Sequence, residues 1–124
     1  MSARGSKPAG VTFVEVTAAA VKLPEVELSK SYGTPALKVR GKLLARLKED
    51  GETLVLRAEF VDRQILTQAD PDTFFFTDHY RDYPLVLVRL AKLSPSALPD
   101  LLERAWRLVA PARLIAQHDG AAPG

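Results

Sequence analysis

A chain of 124 residues, 47% hydrophobic and 26% charged, suits one globular domain rather than two and is too apolar for wholesale disorder. It has no cysteine, which excludes disulfides, thiolate metal sites and cysteine nucleophiles, and no apolar run approaches the ~20 residues of a membrane span. Net charge is only +2, yet six of the 17 basic residues (Lys30, Lys38, Arg40, Lys42, Arg46 and Lys48) fall between Leu28 and Lys48 with no acid among them, which leaves eleven cations against all 15 acids elsewhere.

Residues 1–10 are small and polar and read as a disordered leader. Glu15 and Lys22 interrupt the apolar stretch from Val11 to Leu23, so it makes a poor export signal, and a cytoplasmic protein is expected. Thr12-Phe-Val-Glu15 has the form of a capping box and predicts a helix over Phe13–Leu23, stopped by Pro24. Val14, Ala18 and Val21 mark one face of it. Residues 24–35, with Ser31, Gly33 and Pro35, read as a connector.

Three strands are expected next. Leu37 and Val39 alternate with Lys38 and Arg40; Leu43, Ala45 and Leu47 alternate with Leu44, Arg46 and Lys48; the third strand is Glu52–Glu59. Placing both apolar sets on one face requires odd residues to pair with odd, hence an odd loop at Arg40-Gly41-Lys42. Asp50-Gly51 is a two-residue hairpin signal that sets Leu47 opposite Leu54, Ala45 opposite Leu56 and Glu49 opposite Glu52. The other face then collects Lys38, Arg46, Lys48 and Arg57, with Arg40 and Lys42 at the adjoining turn.

A second helix is expected over Val61–Ala69, with Val61, Ile65, Leu66 and Ala69 inward, and a strand over Thr73–Thr77. The loop Asp78–Tyr83 leads through Pro84 to a fifth strand, Leu85–Leu93. Ser94 and Pro95 suit the start of a third helix, with Leu98, Leu101, Leu102, Ala105, Leu108 and Val109 as its core stripe, Pro99 as a pinch and Pro111 as its end. Trp106 fits a core or rim anchor. The domain therefore spans 11–115, with a disordered tail over 116–124. The order α-β-β-β-α-β-β-α implies a two-layer α+β sandwich with a mainly antiparallel five-stranded sheet.

Several segments together resemble the MmcQ/YjbR-like family of small bacterial proteins. They are Leu23-Pro-Glu-Val-Glu27, Ser31-Tyr-Gly-Thr-Pro-Ala-Leu-Lys-Val-Arg-Gly-Lys42, Asp70-Pro-Asp-Thr-Phe-Phe75, His79-Tyr-Arg-Asp-Tyr-Pro-Leu-Val-Leu-Val-Arg89 and Ala105-Trp-Arg-Leu-Val-Ala-Pro111. The resemblance covers about residues 12–115. It implies a secretion-chaperone-like or frataxin-like fold and a DNA-binding role conjectured for the family through a double wing of hairpins. Leu37 stands where the family usually has an aromatic, and Asp82 where glycine is common, which makes the second wing more acidic.

The candidate DNA surface is Lys38, Arg40, Lys42, Arg46, Lys48 and Arg57 on the sheet, with His79 and Arg81 on the loop. Strands space cations ~7 Å apart on one face, as phosphate contacts require. The competing reading of the same residues is a solvated sheet face. No G-x-S-x-G, phosphate-binding loop or metal-spaced set of histidines and carboxylates occurs, so no enzyme, metal or cofactor is expected. Phe75, Leu85 and Leu87 project to the basic side and suggest an exposed patch for a homodimer. Weak, sequence-independent DNA binding and a protein-interaction module are the two functional readings.

Overall fold

The computed structural model describes residues 10–120. Its elements are α1 (Phe13–Ala20), β1 (Val26–Ser31), β2 (Thr34–Val39), β3 (Lys42–Leu47), β4 (Thr53–Arg57), α2 (Phe60–Ala69), β5 (Phe74–Phe75), β6 (Leu85–Arg89), α3 (Leu98–Val109) and α4 (Ala112–Gly120). Short 3₁₀ turns occupy Asp78–Tyr80, Leu90–Lys92 and Pro95–Ala97. The protein is α+β, with six strands among the described residues in the order β1-β2-β3-β4-β6-β5 and every neighbouring pair antiparallel.

The sixth strand is β1, which the sequence suggested as a connector. None of its residues is buried, and the chain carries little apolar alternation there. It pairs with β2 through a Tyr32-Gly33 turn in which both residues have positive φ, as a two-residue hairpin of the right twist requires.

The next hairpin places its odd residue elsewhere than expected. Arg40-Gly41 is also a two-residue turn with positive φ at both positions, pairing Val39 with Lys42. Parity is restored by a bulge: Lys38 faces Leu43, whereas Leu37 faces Ala45, so Leu44 is the extra residue. Leu44 consequently joins the main core with Ala45, and Leu43 turns to the opposite face, the reverse of their expected placement. Beyond the bulge the expected register holds, with Ala45 opposite Leu56 and Leu47 opposite Leu54. Glu49 and Glu52 are not a ladder pair. Lys48 N donates to Thr53 O at 2.8 Å, and the Asp50 carboxylate accepts from the amides of Glu52 and Thr53, closing a longer turn.

One face of the sheet is covered by helices. Leu37, Val39, Leu54, Leu56, Val86 and Val88 pack against Val16 and Ala20 of α1, the α3 stripe and Leu114 of α4. The α3 stripe is Leu98, Leu101, Leu102, Ala105, Trp106 and Val109; Leu108, expected inside, is exposed. Each of the large apolar side chains in it contributes roughly 1.5–3 kcal/mol on burial. Trp106 is fully buried and donates its indole N–H to Pro24 O at 2.9 Å. Pro99 is the second residue of α3, in its first turn, directly after the Pro95–Ala97 turn.

Both capping-box hydrogen bonds of α1 form, but its buried face is Val16 and Ala20 rather than Val14, Ala18 and Val21. In α2 the expected inward residues Val61, Ile65 and Ala69 are exposed, and the one buried side chain is Arg63. Residues 1–9 of the expected leader lie outside the described residues. Gly10 is packed so closely that a Cβ there would meet Ala91 O at 2.7 Å. Residues 116–120 of the expected tail are helical, pinned by Arg107, which bonds Asp119 at 2.6 Å and Glu103 at 2.8 Å.

Candidate functional site: a groove on the open face of the sheet

The face away from the helices carries a second, smaller core of Val55, Tyr80, Leu85 and Leu87, with Phe75 packed on it. The loop from Asp78 to Pro84 folds back so that Tyr80 covers this cluster. Leu85 and Leu87 are therefore buried, Leu87 to 1% exposure, and the apolar dimer patch expected from them and Phe75 is not on the surface. Phe75 is further covered by the Arg89 guanidinium, 4.0 Å from its ring centroid.

Arg63 holds that loop in place. From α2 its guanidinium donates to four backbone carbonyls, those of Tyr80, Arg81, Tyr83 and Leu85, at 2.9–3.2 Å. Phe76 stacks over it at 3.8 Å and Phe60 at 4.9 Å. Burial, with Arg81 nearby, pushes its pKa down. No sequence pattern reveals this role, because a helical arginine ordinarily faces water.

Between this loop and the β1–β2 turn lies a groove of about 490 Å³, lined by Tyr32, Leu43, Arg46, Glu49, Val55, His79, Tyr80, Tyr83 and Leu85. Arg46 is only 7% exposed. It donates to Tyr80 Oη at 3.1 Å and Thr34 Oγ1 at 3.3 Å, and lies 5.2 Å from the Tyr32 ring centroid. Its carboxylate neighbour Glu49 stands 3.6 Å away and is exposed. Lys48 sits 5.5 Å over the Tyr80 ring, and His79 meets that ring edge-on at 4.7 Å. Tyr32, 85% exposed, and Tyr83 form the rim.

The structure gathers only some of the expected DNA-contacting residues at this groove. Arg46, Lys48 and His79 are there, and Lys38 lies across from the groove-lining Leu43, with Glu27 opposite it on its other side. Arg40 is held by Glu25 through two hydrogen bonds, which raise the arginine pKa and lower that of the glutamate. Arg81 is paired with Asp78. Lys42 and Arg57 line a separate depression with Leu108 and Val109 of α3, and Arg57 donates to Leu43 O at 3.2 Å. The bulge at Leu44 is the cause for Lys42, since it shifts the alternation by one residue. The basic face is thus smaller than the sequence suggests, and more aromatic.

Among the described residues no group of three or more His, Asp or Glu side chains is placed to hold a metal, and no helix is long and apolar enough to cross a membrane.

An antiparallel sheet with one face sealed by helices and an aromatic groove on the other defines a small α+β protein with one open sheet face. The model of the YjbR family matches residues 21–108, and the chain belongs to that family. Uncharacterized proteins of Mycobacterium bovis and Mycobacterium tuberculosis are 41% identical to it over 46 residues, 37% of this chain and 36% of theirs, so the match spans about a third of those relatives. The fold is similar to the crystal structure of a Deinococcus radiodurans protein bearing the domain label DUF419, with a TM-score of 0.67, 21% identity, and 78% of this chain and 77% of that one covered.

Proposed function

We propose that the protein is a non-enzymatic module that binds nucleic acid weakly, with little sequence preference, on the groove face. The observation that carries this reading is the exposure of Tyr32 and Tyr83 beside Arg46 and Lys48. Aromatic rings accept bases of any kind by stacking, at about 1–3 kcal/mol per base, while cations beside them follow the phosphates. Stacking needs unpaired bases. Three of the eight expected phosphate contacts, Arg40, Arg57 and Arg81, are engaged within the chain, and a fourth, Arg46, is buried in the groove. Both facts favour a single strand over a duplex. Fluorescence anisotropy with a labelled oligonucleotide, single-stranded and then annealed, tests this: the single strand binds more tightly, and equal or stronger duplex binding refutes it.

A second reading, the protein-interaction module, is favoured by β1. It is an open sheet edge six residues long whose Leu28 is exposed, and such an edge can accept a strand from a partner chain. Concentration-dependent sedimentation tests self-association by this edge, and Leu28→Lys should abolish any dimer seen.

A further inference from the structure

We infer that the groove is a site for one planar ring bearing an anionic group, with Arg46 as the anchor for the anion. This rests on reading the groove as the binding face, and narrows what that face takes.

The two buried arginines make the case by contrast. Arg63 spends its guanidinium on four carbonyls. Arg46, equally buried, has two hydrogen-bond partners among the described residues, both neutral hydroxyls. A guanidinium offers more N–H donors than those contacts use, in a planar fork that matches carboxylate and phosphate oxygens. The one carboxylate partner of Arg46 among the described residues, Glu49, is an exposed side chain that forms an ion pair with it at 3.6 Å but no hydrogen bond. A cation drawn out of water with donors to spare gains more from an anion than a solvated lysine does. It borders a groove of about 490 Å³ whose other lining is tyrosine, histidine and aliphatic side chains with the Glu49 carboxylate as its one acid, a size and character suited to a single ring system. Tyr32 beside the guanidinium supplies a face for that ring.

Thymidine monophosphate, thymidine and inorganic phosphate serve as probes, titrated into the full ¹⁵N-labelled chain and followed by NMR. The monophosphate is expected to shift groove resonances and to bind about tenfold or more tighter than either of its halves, since one charge-assisted contact accounts for such a factor. Arg46→Lys should reduce the monophosphate to the affinity of thymidine. If that variant unfolds, Tyr32→Gly serves instead; it suits the positive φ there and should weaken the monophosphate severalfold while leaving phosphate alone unaffected. Shifts confined to surface lysines outside the groove, or equal binding of thymidine and its monophosphate, overturn the inference. An oligonucleotide that binds although the monophosphate does not would overturn it while the strand-binding reading survives. A monophosphate that binds in the groove as tightly as an oligonucleotide supports the inference and removes the strand.

Discussion

Arg46 and Tyr80, 34 positions apart in the chain, meet on the open face of the sheet with a guanidinium nitrogen 3.1 Å from the phenolic oxygen. The bond ties β3 to the loop before β6 and makes Arg46 a structural residue as well as a candidate ligand contact. The cations that share its face should therefore separate in their effect on stability. Lys38→Gln and Lys48→Gln should each change unfolding free energy by no more than about 0.5 kcal/mol. Arg46→Gln should lower it by roughly 1–3 kcal/mol, because Tyr80 and Thr34 lose their partner. Urea denaturation measures all three, and equal effects would contradict the burial of Arg46.

Arg63→Met should be the more damaging substitution. It removes the donor for four carbonyls, and each buried carbonyl left unpaired costs about 1–3 kcal/mol, partly offset where water can enter. Hydrogen exchange should show the segment from Asp78 to Leu85 losing protection before the rest of the sheet. Uniform loss across the sheet would mean that Arg63 does not act through this loop.

These two arginines mark where the sequence stops being informative. The pairings of Leu47 with Leu54 and of Ala45 with Leu56 were legible because a turn signal and a period of two agree there. The capping box of α1 and most of the α3 stripe were legible on similar grounds. The bulge at Leu44 was not, since an odd loop and an odd bulge give the same distant register. Val61 and Ile65 pointed to a buried face of α2 that tertiary packing assigned instead to Arg63. The groove escaped because its walls come from the β1–β2 turn, β3 and the Tyr80 loop, which only the folded chain brings together.

Asp50 makes stability depend on pH. The amide of Glu52, then the hydroxyl and amide of Thr53, hold its carboxylate below the ordinary aspartate pKa. A carboxyl whose folded pKa is lowered stabilises the protein above its unfolded pKa, and that contribution disappears as pH falls through the folded value. Asp50→Asn should therefore reduce stability at neutral pH, by about 1 kcal/mol for the weakened turn, and the difference from wild type should shrink below about pH 4. Thermal melts of both proteins across that range measure it; a gap that widens in acid would contradict the assignment.

Trp106→Phe should cost roughly 1–3 kcal/mol, since it opens space in the main core and leaves Pro24 O without its indole donor. Urea unfolding followed by circular dichroism reads this directly. A neutral substitution would show that the bond does not hold the segment before β1.

Binding of a single-stranded oligonucleotide as a function of salt tests the groove most directly. With Arg46, Lys38 and Lys48 as the cations at the groove, about three phosphates are neutralised, and log K should fall with log salt at a slope near −2.1, from roughly −0.7 per contact. Replacing both lysines by glutamine should flatten that slope, whereas Tyr32→Gly should lower affinity at every salt concentration and leave the slope unchanged. No binding at low salt, or a Tyr32→Gly protein that binds as well as wild type, would contradict the assignment of the groove as a nucleic-acid surface.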